Sequence, residues 1–293
     1  MLAPMTARLL AIFGPTASGK SALALRRAAE RPSEIIACDA VMVYRGFDIG
    51  ANKPSAEERA AVPHHLLDVC DATEAMNAAR WAELARAAVA EIHARGRQPV
   101  LVVGTFLYYR ALVYGLGALP PSQPALRAEL LAAEARDPGY LAREVARVDP
   151  ESFAEAHGKN LPRLVRALEV FRLSGERASA LRAAHGFAEA HSDVERVGIE
   201  PPREALIMRI AERVHEMWKK GLLEEVRTLR AQVPHDAMAM RALGYAQVND
   251  ALSGGAVDAE HVCEQIAIAT RQYARRQRSF MRKEAGVVWT TGL

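Results

Sequence analysis

The chain contains Gly14-Pro15-Thr16-Ala17-Ser18-Gly19-Lys20-Ser21, a match to the phosphate-binding pattern Gly-x-x-x-x-Gly-Lys-Ser/Thr. The stretch follows an apolar run, Leu9 to Phe13, and precedes a segment rich in Ala, Leu and Arg, Ser21 to Glu30. The context is therefore strand, loop and helix, as the motif requires. We expect the backbone amides of the loop to surround a di- or triphosphate, with a positive charge from Lys20 and a hydroxyl for Mg²⁺ from Ser21.

Two more β-prone runs end at a turn residue, as the first ends at Gly14. Glu34 to Cys38 ends at Asp39, and Pro99 to Val103 ends at Gly104, with a helical segment, 79–95, between them. Strands alternating with helices predict an α/β fold, a parallel-sheet core with helices on both faces. Because ligands bind beyond the carboxyl ends of parallel strands, Gly14, Asp39 and Gly104 are expected at one site.

The residue composition of the chain changes after Tyr108. A Gly- and Pro-rich stretch, 115–124, leads into about sixty residues of helical composition, and Val194 to Ile199 predicts a return to the sheet. We therefore expect three parts. Residues 1–120 form the first part of the phosphate-loop core, 121–190 a helical insertion, and 191–293 the rest of the core with long helices and a basic C-terminal helix.

Composition narrows the functional class. Of 293 residues, 50% are hydrophobic and 25% charged, which is typical of a globular protein. The apolar runs are far shorter than the roughly 20 residues that a membrane-spanning helix needs, and residues 1–12 lack a signal-peptide cleavage region. The three cysteines form no Cys-x-x-Cys pair, so neither disulfides nor a zinc site is indicated. We expect a cytoplasmic protein that does not associate with membranes.

One acidic residue is well placed for chemistry. Nucleotide hydrolases usually carry an acid that helps to hold Mg²⁺ at the end of a hydrophobic strand, but the strand ending at Val103 continues into Gly104-Thr105. Asp39 is the remaining carboxylate at a strand end. It could hold a metal, accept a proton from a nucleophile, or cap the turn that follows it.

The last long helix predicts a nucleic-acid surface. At 100° per residue, four arginines fall within about 60° of one another and face outward without interleaved acids: Arg271, Arg275, Arg278 and Arg282. Five residues fall on the opposite, anchoring side: Val262, Ile266, Ala269, Tyr273 and Phe280. Such a row of positive charge is better explained by an RNA backbone than by solvent.

Ordered blocks along nearly the whole chain resemble the tRNA dimethylallyltransferases, also called tRNA isopentenyltransferases. After the phosphate loop, the resemblance is carried by Asp39–Gly46, Asp48–Pro54, Pro63–Asp68, Gly104–Tyr108 with Arg110–Leu112, Arg163–Glu169, Leu243–Tyr245, and Thr270-Arg271 with Arg275–Gln277. Several positions depart from the family's usual residues, among them Ala40, Val103, Phe106 and Pro162.

The resemblance implies a reaction and a partner. A dimethylallyl group would pass from dimethylallyl diphosphate to the exocyclic amine of the adenosine 3′-adjacent to the anticodon of tRNA. The phosphate loop, residues 14–21, would hold the diphosphate with Mg²⁺ as cofactor at Ser21. Asp39 would take the proton of the amine, and Thr16 and Arg209 would neutralise the leaving oxygens. Thr105 would lie at the mouth of the channel in which the base and the prenyl donor meet.

The resemblance also implies residues that touch RNA. In addition to the four arginines, these are Asp39, Ala40, Val41, Met42, Thr105, Arg127, Pro162, Arg163, Leu164, Val165 and Arg166. Arg213, one helical turn after Arg209, is either a second clamp residue or a solvated side chain. We expect the partners to be the anticodon stem-loop and dimethylallyl diphosphate, and the protein to be a monomer.

Three other functions remain open at this point. A phosphate-loop kinase of a small metabolite would use Asp39 as a base for a hydroxyl, but it would not need the arginine row. Prenyl transfer to a free adenine nucleotide would not need that row or an RNA-facing insertion. An RNA-binding protein with a vestigial loop is the third.

Overall fold

The computed structural model describes residues 8–117, 119–186, 193–255 and 257–291. The described residues divide into two compact units, of which one contains 8–113 and 193–291 and the other contains 114–117 and 119–186. The first division lies between Val113 and Tyr114, before the boundary at 120 that the sequence predicts.

The first unit is built on a parallel sheet. Its strands are β1 Leu9–Phe13, β2 Ser33–Cys38, β3 His64–His65, β4 Gln98–Val103, β5 Val194–Ile199 and β6 Val288–Thr290. The strand order is β3-β2-β4-β1-β5-β6 and every pairing is parallel, which confirms the predicted fold class. The sequence predicted β1, β2, β4 and β5, but the two edge strands are too short to produce a pattern.

The helices follow in chain order. The first unit supplies α1 Lys20–Glu30, α2 Ala56–Ala61, α3 Ala78–Ala94 and α4 Phe106–Val113. The second supplies α5 Pro124–Arg136, α6 Tyr140–Val148, α7 Pro150–Glu155, α8 Leu161–Ser174 and α9 Ala178–His185. The first resumes with α10 Arg203–Lys219, α11 Leu222–Arg230, a short 3₁₀ turn Ala239–Arg241, α12 Tyr245–Ser253 and α13 Ala259–Met281.

Helices cover both faces of the sheet because successive side chains of a strand point to opposite sides. In β1, Leu10 and Ile12 belong to the same core as Leu23 of α1. Phe13 points the other way and packs edge-on against Tyr109 of α4, with ring centroids 4.8 Å apart. All five residues of β1 are buried, as expected of a central parallel strand.

The second unit has its own helical core, formed by residues such as Leu130, Leu141 and Leu168. Side-chain caps begin two of its helices, Asp149 at α7 and Asn160 at α8. Across the described parts of both units, no helix combines the length and the apolar character needed to cross a membrane.

Candidate active site

The phosphate loop joins β1 to α1 by a close approach of backbone to backbone. Gly14 has a φ of 154°, and a Cβ there would lie 2.7 Å from the carbonyl oxygen of Ile199, so no other residue fits. Gly19 has a φ of 99° and turns the chain into α1. Ser18 Oγ is buried and, among the described residues, has no hydrogen-bond partner. An unsatisfied polar atom inside the loop fits a ligand rich in oxygen.

The side chain of Lys20 lies inside the phosphate loop. It is buried, and Nζ donates to the carbonyl oxygen of Pro15 at 2.8 Å. Burial and the nearby charge of Arg213 lower the pKa of Lys20 to about 7, although the carboxylate of Asp39 opposes that shift. Lys20 therefore loses its proton near neutral pH in the free protein. A bound anion would raise the pKa of Lys20 and so restore its positive charge.

Both candidate arginines of α10 reach the loop. Arg213 Nη1 donates to Thr16 Oγ1 at 3.1 Å, and Arg209 Nη1 is 3.5 Å from the carbonyl oxygen of Ser18. Burial lowers the pKa of Arg213, and Asp39 opposes this. Arg213 is thus held against the loop and is not a solvated side chain, so the two arginines can act as a pair.

Asp39 follows β2 and uses its two oxygens differently. Oδ1 accepts hydrogen bonds from the amides of Val41 at 2.8 Å and Met42 at 3.2 Å, which confirms that it caps the following turn. Oδ2 lies against Gly104, where an added Cβ would be only 2.6 Å away. The capping bonds fix the carboxylate while leaving one oxygen at the wall of a cavity.

Thr105 ties the end of β4 to the end of β2. Its amide donates to the carbonyl oxygen of Cys38 at 2.8 Å, and its Oγ1 accepts from the amide of Ala40 at 3.0 Å. The predicted meeting of strand ends is therefore present, and the hydroxyl of Thr105 orients the segment that begins at Ala40.

Two cavities, of about 430 and 200 Å³, adjoin at these strand ends. The larger is lined by loop residues 16–21 and by Arg209. The smaller is lined by Ala40, Thr105 and apolar side chains such as Ile266. Five residues line both: Thr16, Asp39, Ala51, Arg213 and Tyr273. The Asp39 carboxylate thus lines both a cavity of mixed charge, which contains Lys20, Arg209 and Arg213 as well as three glutamates, and a largely apolar one.

The residues that line the larger cavity fit Mg²⁺ only with help from a ligand. No group of three or more His, Cys, Asp or Glu residues that could hold a metal occurs in the described ranges. Ser21 lines the cavity at the first turn of α1. Since Mg²⁺ usually takes one or two protein ligands together with substrate phosphate oxygens, Ser21 beside a bound diphosphate is a suitable donor set.

Gln277 of α13 is a site residue for which no role was predicted. Its Oε1 accepts from the amide of Thr16 at 2.8 Å, and its Nε2 donates to the carbonyl oxygen of Gly104 at 2.7 Å. Tyr273, one turn earlier, places its hydroxyl 3.3 Å from the same carbonyl oxygen. Gln277 belongs to the resembling stretch Arg275–Gln277, and Tyr273 lies between it and Thr270-Arg271; this resemblance was the signal that could have pointed to them.

Glu225 of α11 fixes another wall of the site. Its carboxylate accepts from the backbone amides of residues 48–50 at 2.7 to 3.2 Å and from the hydroxyl of Tyr245 at 2.6 Å. That hydroxyl in turn accepts from the amide of Ala51 at 3.1 Å. Since Ala51 lines both cavities, Glu225 and Tyr245 set the shape of their shared wall.

The arginine row of α13 is only partly as predicted. Arg271 and Arg275 are exposed, but Arg278 and Arg282 pair with Glu200 at 2.5 and 2.8 Å. Although burial raises it, the hydrogen bonds from these two arginines leave the pKa of Glu200 below its ordinary value. The expectation of four arginines without acids was wrong, because Glu200 approaches from outside the helix. Phe280, predicted on the anchoring side, is 45% exposed.

In the second unit, part of the predicted RNA segment is core. Leu164 and Val165 are 1% and 2% exposed, so the prediction that their side chains contact RNA was wrong. Arg166 pairs with the buried Glu169 at 2.6 Å. Pro162 lies in the first turn of α8, where proline is favoured, after the Asn160 cap.

Two predicted RNA contacts of this unit remain accessible. Arg163 is exposed, and its Nη1 donates to the carbonyl oxygen of Glu155. Arg127, in α5, donates to Ser122 Oγ at 3.0 Å. Each keeps guanidinium donors that could meet a phosphate.

The chain resembles known proteins over nearly all of its length. A family model described as IPP transferase matches residues 42–284. The tRNA dimethylallyltransferase of Anaeromyxobacter dehalogenans (strain 2CP-C) is 46% identical over 284 residues, which is 96% of this chain and 94% of the relative. The tRNA dimethylallyltransferase of Sorangium cellulosum (strain So ce56) is 42% identical over 283 residues, 96% of this chain and 90% of the relative.

Solved structures agree with these relatives. The full-length tRNA isopentenylpyrophosphate transferase of Bacillus halodurans superimposes with a TM-score of 0.70 at 34% identity, covering 97% of this chain and 89% of that one. A eukaryotic dimethylallyltransferase acting on tRNA gives a TM-score of 0.77 at 25% identity, covering 94% of this chain and 70% of that one.

Proposed function

The chain belongs to the IPP transferase family, and from that premise we propose that it transfers a dimethylallyl group from dimethylallyl diphosphate to tRNA. The acceptor is the N6 amine of the adenosine 3′-adjacent to the anticodon, and diphosphate is released. The protein is an enzyme, a prenyltransferase. The observation that carries the assignment of roles is the position of Asp39, which lines both the cavity that contains the phosphate loop, Arg209 and Arg213 and a largely apolar one.

The diphosphate of the donor occupies the larger cavity. Loop amides, Lys20, Thr16 and the Arg209–Arg213 pair converge there, so positive groups surround the oxygens that gain charge when the carbon–oxygen bond breaks. Mg²⁺ at Ser21 would add charge neutralisation of the leaving diphosphate when bound. Ser21 and the diphosphate oxygens themselves would hold it.

Asp39 acts on the other end of the displacement. The lone pair of the adenine amine is delocalised into the ring, so the amine is a weak nucleophile. As its nitrogen forms a bond to C1 of the dimethylallyl group, the bond from C1 to the diphosphate oxygen breaks and the amine loses a proton. The carboxylate of Asp39 accepts that proton, because its Oδ1 is fixed by two amides and Oδ2 remains at the cavity wall.

The tRNA lies over the smaller cavity. Ala40, Val41 and Thr105 line this cavity, Met42 lines the larger one, and an adenine stacked in the loop must be turned out to enter. Arg271 and Arg275 supply contacts to the RNA backbone, and Arg127 and Arg163 are candidates in the second unit. We propose that the protein acts as a monomer and, because its substrate is tRNA, in the cytoplasm.

Labelled dimethylallyl diphosphate tests the proposal directly. The protein is incubated with it, Mg²⁺ and either unmodified tRNA or AMP, and in a separate reaction with ATP and no donor. We expect label in tRNA alone and no hydrolysis of ATP. Label in AMP would indicate a free-nucleotide prenyltransferase, and turnover of ATP without label transfer would indicate the kinase alternative.

A further inference from the structure

A stack of aromatic rings reaches the surface beside the active site, and the mechanism above makes no use of it. Phe280 of α13 and Phe106 of α4 have ring centroids 6.5 Å apart and planes inclined by only 23°. Phe106 and Tyr109 continue the stack at 5.8 Å and 21°. Phe280 is the outermost ring and is 45% exposed. We call Phe280 and Phe106 the aromatic platform.

The inner end of the stack is rigid. Tyr109 is fully buried, donates from its hydroxyl to Glu284 Oε1 at 2.7 Å and accepts from Arg196 Nε at 2.9 Å. A ring that is already fixed loses little conformational freedom when something stacks on the outer face. Phe106 therefore packs against a fixed ring, which supports the inner side of the platform.

Positive charges accompany the rings. Lys283 Nζ lies 6.0 Å from the centre of the Phe280 ring, and the Arg110 guanidinium lies 5.7 Å from that of Phe106. Arg276 lies 5.9 Å from the Tyr273 ring. Aromatic surfaces interleaved with cations are the chemistry that proteins use for unpaired nucleotides, whose bases stack while their phosphates are neutralised. An apolar protein segment would have no use for these cations.

The platform lies within reach of the reacting base. Phe106 directly follows Thr105, which lines the smaller cavity. Tyr273 lines both cavities, and Phe280 is seven residues farther along the same helix, about 10 Å at 1.5 Å per residue. At about 3.4 Å per stacked nucleotide, this corresponds to roughly three positions in a strand.

We propose that the aromatic platform stacks an unpaired base of the anticodon loop, one to three nucleotides from the adenosine that is modified. The inference rests on the proposed function for the identity of the RNA. By holding a neighbouring base out of the loop stack, the platform keeps the loop open so that the adenosine can enter the smaller cavity.

Fluorescence locates the stacked base. Synthetic anticodon stem-loops carry 2-aminopurine at one loop position at a time, other than the modified adenosine, and are titrated with the protein. We expect one position close to the modified adenosine to be quenched on binding to the wild type and to Phe280→Tyr, which keeps the ring. Phe280→Leu should abolish that quenching and weaken binding about tenfold.

Salt dependence separates stacking from charge. Phe280→Leu should leave the slope of log affinity against log salt unchanged, whereas Lys283→Gln should reduce it by about 0.7. Met208→Ala, which trims an apolar side chain that is 62% exposed on α10, is the matched control and should change neither quantity. Inorganic diphosphate should bind Phe280→Leu as it binds the wild type.

Three results would overturn the platform: no loop position quenched by the wild type, equal quenching by Phe280→Leu, or a dimer in sedimentation that Phe280→Leu dissociates. The first needs no variant and so cannot be confused with misfolding. Label transfer to tRNA without quenching would reject the platform and keep the proposed function. Quenching without label transfer would keep the platform and reject the proposed function.

Discussion

Asp39 combines a structural and a chemical task in one side chain, and two substitutions separate them. Asparagine can still accept from the amides of Val41 and Met42, but it cannot take a proton from the adenine amine. Alanine loses the cap as well, which we expect to cost about 1 kcal/mol in the free energy of unfolding.

We therefore predict that Asp39→Asn lowers the single-turnover rate of transfer by about 10²- to 10⁴-fold while tRNA and diphosphate affinities change less than about threefold. Rapid quench with labelled donor measures the rate, and filter binding measures the affinity. A variant with asparagine that transfers at the wild-type rate would remove Asp39 from the role of base.

Lys20 should make diphosphate binding depend on pH. Since its pKa in the free protein is about 7, the ligand must bring back a proton at higher pH, and affinity should fall by up to about tenfold per pH unit above 7. Calorimetry with inorganic diphosphate from pH 6 to 9 checks this. Lys20→Met should bind weakly and follow only the ligand's own titration; identical profiles for the two proteins would contradict the prediction.

Lys20 also makes the free energy of unfolding depend on pH, and the direction of that dependence follows from its lowered pKa. In the unfolded chain a lysine keeps its proton up to about pH 10.4, while folded Lys20 releases it near pH 7. The unfolded state therefore binds more protons between these values, and the contribution of Lys20 to the free energy of unfolding rises with pH in that window. In Lys20→Met this contribution is absent.

At the scale of elements, α13 braces the phosphate loop through Gln277. Replacing it with leucine leaves the amide of Thr16 and the carbonyl oxygen of Gly104 without this partner. We expect Gln277→Leu to lower the free energy of unfolding by about 1–3 kcal/mol and to raise KM for the donor. Urea denaturation and steady-state kinetics check both.

Gln265→Leu is the matched control, because it changes the same residue type at an exposed position of the same helix. Equal losses of stability in the two variants would show that the bonds of Gln277 to the loop contribute nothing specific.

The four arginines of the arginine row on α13 should contribute to tRNA binding unequally, as two pairs. Arg271 and Arg275 are exposed, whereas Arg278 and Arg282 already neutralise Glu200. We expect Arg271→Gln with Arg275→Gln to reduce the salt slope of tRNA binding by about 1.5, and the other pair to reduce it less. Affinity measured between 50 and 200 mM salt, as is usual for such slopes, distinguishes them. Equal effects of both pairs would mean that Glu200 does not shield its partners.

At the scale of the whole molecule, the sequence predicts those features of the fold and the site that depend on local residue patterns. The loop, the central strands and Asp39 were accessible because each lies at the end of an apolar run, and the carboxyl ends of parallel strands meet at one edge. The apolar spacing of Leu164, Val165 and Leu168 in α8 is that of a buried helix face, a signal that the prediction of RNA contacts did not use.

Contacts between distant parts of the chain carry no such pattern. Gln277 reaches Thr16 across 261 positions, and Arg278 reaches Glu200 across 78. Neither separation has a periodicity that a sequence could display, so the brace on the loop and the neutralised arginines become evident only in the folded chain.

In the proposed mechanism, the Asp39 carboxylate serves the acceptor while the adjoining phosphate loop holds the leaving group. A structure of the protein with an unreactive donor analogue and an anticodon stem-loop measures this directly. We predict the diphosphate against residues 14–21 and the N6 nitrogen of the turned-out adenine about 3 Å from the Asp39 carboxylate. An adenine amine bound elsewhere, with Asp39 facing only protein atoms, would contradict it.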